Sequence, residues 1–153
     1  MARERPISVL EAHLGYWLRM VSNHVSHAFG LKVGAEDVTV AEWVVLRALY
    51  AADGATPSRV ADELKMTRGA VSKLVDRLVA KDLVSRTASR EDRRWQDIAL
   101  RPKGRALVPR LAALADENDR EFFGALSAAE RATLERILKK IVRQREIQNV
   151  PVD

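Results

Sequence analysis

The sequence contains no cysteine among its 153 residues. This absence excludes a disulfide framework, a zinc site built on thiolates and a thiol-based redox sensor. No stretch approaches the roughly 18 consecutive apolar residues that a membrane-spanning helix needs. Glu11 and His13 interrupt the apolar pattern that follows the charged N-terminus. We therefore expect no signal peptide, no membrane association and a cytoplasmic location.

The sequence also lacks the motifs of common enzyme sites. It has no phosphate-binding loop, no Gly-x-Gly-x-x-Gly and no Gly-x-Ser-x-Gly. His24 and His27 are spaced to share a metal ion, but no carboxylate lies at matching spacing, and a structural zinc site needs four ligands. Acidic pairs such as Asp62–Glu63 lie among basic residues and are explained as surface ion pairs. We therefore predict no enzymatic activity, no metal site and no cofactor.

Positive charge is concentrated in the middle of the chain. From Thr56 to Arg105 there are 13 Lys and Arg against 7 Asp and Glu, a net charge of +6, whereas the remainder has 13 against 14. Apolar residues make up 47% of the chain, which is enough to build a folded core. A basic surface on a near-neutral scaffold is typical of a protein that binds a polyanion, although a solvated basic surface has the same composition.

Helix-start signals recur along the chain. Ser8–Glu11, Thr39–Glu42 and Ser127–Glu130 are capping boxes, and Thr56 is a capping residue that stands before a first-turn proline. Apolar residues at helical spacing follow these signals. They predict six helices, which begin near Ser8, Thr39, Thr56, Thr67, Pro102 and Ser127. We expect the first helix to end at Gly30–Gly34 and Pro109 to distort a turn of the fifth.

Between the fourth and fifth helices the apolar period changes from helical to alternating. Residues 83–87 and 95–100 are predicted to form two short strands, joined by a polar, charged tip at 88–94. The element order is then α-α-α-α-β-β-α-α, which defines a mainly α fold with a small β-hairpin wing.

Residues 56–100 have the organisation of a winged helix-turn-helix. Two short helices are joined by a turn at 65–67, and a charged hairpin follows at once. In such a motif the second helix lies in the major groove of DNA. Val60, Ala61 and Leu64 of the first helix are placed to pack against Val71, Leu74 and Leu78 of the second. Short hydrogen-bond donors and long cations, together with the acidic Asp76, then remain on the outward or flanking side of the second helix. These candidate DNA-binding residues are Thr67, Arg68, Ser72, Lys73 and Arg77.

The tip of the hairpin adds three candidate DNA-binding residues, Arg90, Arg93 and Arg94. A thin cationic loop suits the narrow minor groove, whose negative potential attracts arginine. Asp92 is placed to brace Arg94 by a salt bridge and so to aim it. An ordinary solvated turn is the alternative interpretation.

The residues in Val60–Leu78, Lys81–Arg86, Glu91–Arg94 and Leu100–Gly104 resemble the MarR family of bacterial regulators. The resemblance extends over nearly the whole chain, and Asp92-x-Arg94 is its most specific part. It implies a transcriptional regulator that binds double-stranded DNA as a homodimer, with 1–36 and 102–153 as the dimerisation helices and 37–101 as the DNA-binding domain. It also implies a palindromic operator with half-sites roughly 34 Å apart.

Carried over by position, the resemblance assigns base contacts to Thr67, Arg68, Ser72 and Lys73, and the minor-groove contact to Arg94. Two residues depart from the family pattern: Arg101 stands where a capping Thr is frequent, and Pro109 lies unusually early in its helix. A second hypothesis is a winged helix that docks an acidic protein partner through its basic face, without specific DNA recognition.

The resemblance further implies a repressor that a small ligand releases, with a pocket between the dimerisation helices and the DNA-binding lobe. His13 and Trp17 lie four residues apart, as do Trp43 and Arg47. An aromatic ring together with a cation suits an aromatic carboxylate. The alternative is that both tryptophans pack in the core or at the dimer interface.

Overall fold

A computed structural model describes residues 6–88 and 96–148. Within these ranges the chain forms six α-helices and two β-strands, in the predicted order, which confirms the fold class. The helices are α1 (Leu14–Gly34), α2 (Val40–Tyr50), α3 (Pro57–Leu64), α4 (Arg68–Ala80), α5 (Pro102–Phe123) and α6 (Ala128–Gln144), and the strands are β1 (Val84–Ala88) and β2 (Gln96–Leu100). No helix in these ranges is long and apolar enough to cross a membrane.

Local capping explains where most of the helices begin. The hydroxyl of Thr39 accepts from the backbone N–H of Glu42 at 3.1 Å, and the Glu42 carboxylate accepts from the Thr39 N–H at 3.0 Å. Ser127 and Glu130 form the same reciprocal pair at the start of α6. Thr56 caps α3 through the backbone N–H of Arg59. These caps satisfy N–H groups that have no partner inside a helix, as the sequence predicted.

The predicted start of the first helix at Ser8 is wrong. Residues Leu10–Ala12 form a single 3-10 turn without a side-chain cap, and α1 begins at Leu14 after an extended His13. Leu10 is 68% exposed, so no tertiary packing supports a longer helix, and a short helix is marginal without such support. The indole of Trp17 instead donates to the carbonyl of Glu11 at 2.9 Å, which favours the turned-back conformation.

The hydrophobic core lies where α2, α3 and α4 meet. Val60 and Ala61 of α3 pack with Val71, Leu74 and Leu78 of α4, and all five are buried, which confirms the predicted helix-turn-helix packing. Leu64 is half-buried against the same cluster. Further buried apolar residues extend this core into α2, β2 and α5, and include Val45, Leu46, Leu49, Ile98, Val108 and Leu111.

The two strands form an antiparallel pair, and β1 begins and ends one residue later than predicted. Their register places Val84 opposite Leu100 and Arg86 opposite Ile98. Ile98 also exchanges both backbone hydrogen bonds with Ala55, at 2.8 and 2.9 Å. The linker between α2 and α3 therefore pairs with β2 and joins the hairpin to the helical core.

Helix α5 returns the chain to the core after the hairpin. Its first turn carries Gly104, which is buried against the carbonyl of Leu83. The helix runs without interruption through Pro109, which lies on its exposed side.

Helix α6 differs from the others, because none of its residues is buried. On its solvated surface, the Lys139 ammonium hydrogen-bonds Glu135 and holds the pKa of that carboxyl below its usual range.

Candidate nucleic-acid interface

The turn between α3 and α4 fixes the start of the candidate recognition helix. Lys65 ends α3 in the left-handed conformation, with φ of 55°, and the backbone N–H of Met66 returns to the carbonyl of Ala61 at 2.9 Å. Thr67 then caps α4 by accepting from the Ala70 N–H at 3.1 Å. The three-residue turn predicted at 65–67 is thus confirmed, with a hydrogen bond on each side of it.

The buried side of α4 determines which residues face outward. Val71, Val75 and Leu78 are wholly buried, and Leu74 nearly so. Helical geometry then places Lys73 and Asp76 near the centre of the opposite face, with Arg68 and Ser72 on one flank and Arg77 on the other. All of the predicted contact residues on this helix are exposed, except Ser72, which is half-buried.

Among the described residues, the cations on this face have no carboxylate partner. Across residues 6–88 and 96–148, no carboxylate forms an ion pair with Arg68, Lys73 or Arg77. Arg68 is the first residue of α4, where the positive end of the helix dipole also favours an anion. This arrangement gives the outward face of α4 both the charge and the donors to bind a phosphate backbone and base edges.

Sequence reasoning missed one residue of the interface, Arg86 of β1. Its Nη1 lies 2.7 Å from Oδ1 of Asp76, and its Nη2 donates to the carbonyl and the hydroxyl of Ser72, each at 3.4 Å. One guanidinium group thereby joins the first strand to the outward side of α4. No spacing along the chain indicates this contact, because it depends on the angle between the strand and the helix.

Sequence reasoning also missed a partner of Glu42, which is almost completely buried. Besides capping α2, its carboxylate forms a 2.9 Å ion pair with Nζ of Lys81, the first residue after α4. Lys81 also donates to the backbone carbonyl of Asp37 at 2.6 Å. The C-terminal end of α4 is thereby held by the α1–α2 loop and by the start of α2.

The predicted residues of the hairpin tip lie outside the described residues. These are Arg90, Arg93 and Arg94, together with the proposed brace Asp92. The described strands on either side of them, Val84–Ala88 and Gln96–Leu100, overlap the predicted ranges.

Two of the four candidate ligand-binding residues lie together. Trp43 and Arg47 line a pocket of about 250 Å³ between α2 and α3, with Glu63 and Leu64 on its α3 side. His13 and Trp17 do not line this pocket. Their polar atoms serve the turn before α1, because Nδ1 of His13 lies 3.2 Å from the Leu10 carbonyl and Trp17 bonds Glu11.

A larger cavity of about 380 Å³ lies between the α1–α2 loop and α5. Lys81, Lys103 and Arg110 bring three cations to it, but each already has a partner in the protein. Arg110 pairs with Glu36 at 2.6 Å, and Lys103 donates to the carbonyl of Lys81 at 3.1 Å. Each of the three cations is therefore held by a protein group, and Glu36 and Asp37 add two carboxylates to the lining.

A short helix, a tight turn and a second helix with an exposed cationic face, followed by an antiparallel hairpin, define a winged helix-turn-helix protein. Residues 36–94 match the family model described as the MarR family. Over 130 residues the chain is 30% identical to the multiple antibiotic resistance protein MarR of Escherichia coli K12, which covers 84% of this chain and 90% of that protein.

Two solved structures are similar to most of the chain rather than to the DNA-binding part alone. A cysteine-to-serine mutant of Escherichia coli MarR, complexed with operator DNA, matches with a TM-score of 0.75 and 30% identity, covering 84% of this chain and 93% of that one. Bordetella bronchiseptica BpsR, whose DNA binding is regulated by 6-hydroxynicotinic acid, matches with a TM-score of 0.76 and 28% identity, covering 90% and 97%.

The chain belongs to the MarR family of transcriptional regulators. It is a DNA-binding regulator with a winged helix-turn-helix, as the sequence predicted.

Proposed function

We propose that the protein is a dimeric repressor that binds a palindromic operator and is released from it by a small aromatic acid. The observation that carries the DNA-binding part of this proposal is the outward face of α4, where Arg68, Lys73 and Arg77 are exposed without ion-pair partners among the described residues. In this proposal Arg68 and Lys73 contact bases, Thr67 and Ser72 contact bases or phosphates, and Arg77 contacts phosphate.

The hairpin tip completes the proposed interface. We assign Arg94 to the minor groove with Asp92 as its brace, and Arg90 and Arg93 to the flanking phosphates, on the basis of their sequence positions. Loss of Arg94 should weaken DNA binding and lower its dependence on salt, because fewer counterions are then released on binding.

Two features support a second copy of this chain as the protein partner. Large apolar side chains are exposed on α1, where Leu14 is 88% and Leu18 52% exposed, and along one side of α6. Those on α6 recur at helical spacing and are Leu134, Ile137, Leu138, Ile141 and Val142. A surface of this kind at both ends of a chain marks an interface. We therefore assign 1–36 and 102–153 to dimerisation and 37–101 to DNA binding.

A two-fold symmetric dimer would present two copies of α4 to one side of the duplex. Such a pair reads an inverted repeat, with half-sites about one helical turn or roughly 34 Å apart. The symmetry of the operator then follows from the symmetry of the protein.

The pocket beside Trp43 and Arg47 supports an aromatic acid as the effector. Its volume of about 250 Å³ lies just below the range of roughly 300–1,000 Å³ usual for ligand sites, so a single ring is the expected size. Trp43 offers a stacking surface and Arg47 a charge-assisted hydrogen bond to a carboxylate. The regulator of BpsR, 6-hydroxynicotinic acid, belongs to the same chemical class. His13 and Trp17 of a second copy are the further candidates in this proposal.

The experiment that tests DNA recognition begins with selection of duplexes from a random-sequence pool by the wild-type protein. We expect enrichment of an inverted repeat. Arg68→Ala and Lys73→Ala should each relax base preference at one position in each half-site, at a cost of about 1–3 kcal/mol for the preferred base. Enrichment of no sequence would refute specific recognition, and no binding even at low salt would favour the protein-docking alternative.

A further inference from the structure

We propose that Arg86 is a positioning residue for DNA recognition: it holds β1 and α4 as one rigid unit and orients the hydroxyl of Ser72 toward DNA. This inference rests on the proposed function of α4 as the recognition helix. It concerns a residue outside the set that the sequence pattern assigns to DNA binding.

The backbone position of Arg86 is set by its pairing with β2. It is the third residue of β1 and lies opposite Ile98, which is wholly buried and paired on its other edge with Ala55. The backbone of Arg86 is therefore fixed by the hairpin and, through Ile98, by the linker between α2 and α3. Its side chain crosses from this fixed point to α4.

The contacts of the guanidinium group span one full turn of α4. Ser72 and Asp76 lie four residues apart and so occupy the same side of the helix. Nη1 binds the carboxylate of Asp76 at 2.7 Å, and Nη2 reaches the carbonyl and hydroxyl oxygens of Ser72 at 3.4 Å. Because one planar group contacts α4 at two points, it restricts both the distance between β1 and α4 and the rotation of α4 relative to β1. A single contact would restrict only the distance.

The same contacts explain why Arg86 acts through its neighbours. Its side chain is 26% exposed, and Nε is buried with no hydrogen-bond partner among the described residues. Both Nη atoms point to α4. The group is thus directed toward protein rather than toward a phosphate, in contrast to Arg68, Lys73 and Arg77 on the exposed face.

Two consequences for DNA binding follow. The Ser72 hydroxyl accepts from Arg86, so its own proton is left to be donated to a base or phosphate acceptor. Asp76 places a carboxylate near the centre of a face that would meet a polyanion, and its pairing with Arg86 offsets that repulsion. Arg86 therefore supports the recognition face in both orientation and charge.

The test compares duplexes selected by wild-type protein with random duplexes of the same length. The readout is the specificity ratio, which is the Kd for random DNA divided by the Kd for selected DNA. Arg86→Lys keeps the charge but has a single ammonium that cannot bridge Ser72 and Asp76 in the same way. We expect it to lower the ratio by about tenfold, the scale of one charge-assisted hydrogen bond, with the salt dependence of binding unchanged.

A double-mutant cycle separates positioning from independent contacts. Arg86→Gln, Asp76→Asn and the double variant should lower the ratio to a similar extent, because the first substitution already breaks the unit. Arg120→Gln, which removes an exposed charge from α5, is the matched control and should leave the ratio unchanged. Thermal unfolding of each variant identifies any loss of folding, and Arg86→Lys carries the test if Arg86→Gln does not fold.

The outcomes are distinguishable. If the wild-type protein selects no sequence, the proposed function fails and this inference fails with it. If it selects a sequence but Arg86→Lys and Arg86→Gln keep the wild-type ratio, only this inference is overturned. Equal weakening of selected and random DNA by Arg86→Gln, with a salt slope reduced by about one, would instead show that Arg86 contacts a phosphate directly.

Discussion

The carboxylate of Glu42 lies 2.9 Å from the ammonium of Lys81, although 39 positions separate the two residues in the chain. Glu42 is 1% exposed, whereas the Lys81 side chain is 27% exposed. The buried charge of Glu42 is therefore compensated by a lysine that is itself in contact with solvent. The pair links the first turn of α2 to the first residue after α4, so it fixes one end of the recognition helix.

Removal of Lys81 should destabilise the protein strongly. Lys81→Met leaves the Glu42 carboxylate buried with only the backbone N–H of Thr39 to compensate it. Breaking a buried pair in this way costs about 3–5 kcal/mol, and we expect the lower end because Lys81 is partly exposed. Urea unfolding, monitored by far-ultraviolet circular dichroism, measures the difference.

Two variants control this prediction. In the double variant Glu42→Gln/Lys81→Met the charge is gone but the amide oxygen still caps α2, so much of the loss should be recovered. Lys139→Met removes a lysine whose partner, Glu135, is exposed, and it should leave the free energy of unfolding nearly unchanged. A double variant no more stable than Lys81→Met would contradict the explanation.

The second prediction concerns the close approach of α5 to Leu83, the residue that precedes β1. A Cβ on Gly104 would lie 2.1 Å from the carbonyl oxygen of Leu83, which also accepts from the backbone N–H of Arg101 at 2.9 Å. Gly104→Ala must therefore move backbone, not a flexible side chain. We expect a loss of about 1–3 kcal/mol or more in unfolding free energy, the cost of overpacking a core.

Gly34→Ala is the matched control for Gly104→Ala. Gly34 is the last residue of α1, and a Cβ there would meet no atom within 4 Å. This substitution should be neutral or stabilise the protein by up to about 1 kcal/mol, since alanine loses less conformational entropy on folding. If thermal unfolding showed the same loss for both glycines, the steric argument for Gly104 would be wrong.

The parts of the fold that the sequence predicted are those that local interactions determine. Thr39, Thr56, Thr67 and Ser127 each cap a helix within three residues of themselves, so the signal and the structure occupy the same short segment. Ser8 carries a similar signal, yet no helix begins there. Packing distinguishes this segment from α2, α3 and α4, which each bury apolar residues, whereas the segment around Leu10 is exposed. Helix α6 buries no residue, so its start is explained by the Ser127–Glu130 capping box and not by packing.

The parts of the site that the sequence did not predict depend on distant pairs. Arg86 is one of 26 Lys and Arg residues and Asp76 one of 21 Asp and Glu residues, so no local pattern identifies them as partners. Their contact follows from the angle at which the hairpin meets α4. Gly104 stands in a segment that resembles the family, but only the position of Leu83 in space explains why a side chain is excluded there.

The third prediction concerns the pocket between α2 and α3. If Arg47 binds a carboxylate, benzoate should bind more tightly than uncharged benzamide, and Arg47→Gln should remove that difference, a change of about tenfold or more in Kd for benzoate. Benzamide affinity should remain as it was. Titration monitored by tryptophan fluorescence measures the Kd of both ligands. If the fluorescence change is lost in Trp43→Phe, it originates from Trp43.

The control for the pocket is Arg110→Gln, which alters the larger cavity between the α1–α2 loop and α5. It should leave benzoate affinity unchanged. If Arg110→Gln weakens benzoate and Arg47→Gln does not, the effector site lies in that cavity, and the assignment of Trp43 and Arg47 is refuted.

The last prediction concerns the apolar side of α6, which we assign to dimerisation. Ile141 is 44% and Leu138 37% exposed in the single chain, and a carboxylate placed among them would have to be buried without a partner in a dimer. Ile141→Glu should therefore shift the protein from twice the 17.1 kDa chain mass toward a monomer in analytical ultracentrifugation. Because two linked recognition helices are needed for an inverted repeat, affinity for selected DNA should fall with the dimer.

Ala132→Glu places the same carboxylate on the opposite side of α6, where helical geometry directs it to solvent. It should leave both the mass and the DNA affinity unchanged. Circular dichroism of both variants shows whether helix content is retained. A wild-type protein that sediments as a monomer, or an Ile141→Glu variant that remains a dimer at the same concentration, would place the subunit interface elsewhere or remove it. Loss of the dimer in Ile141→Glu alone would tie the exposed stripe of α6 to a second copy of the chain.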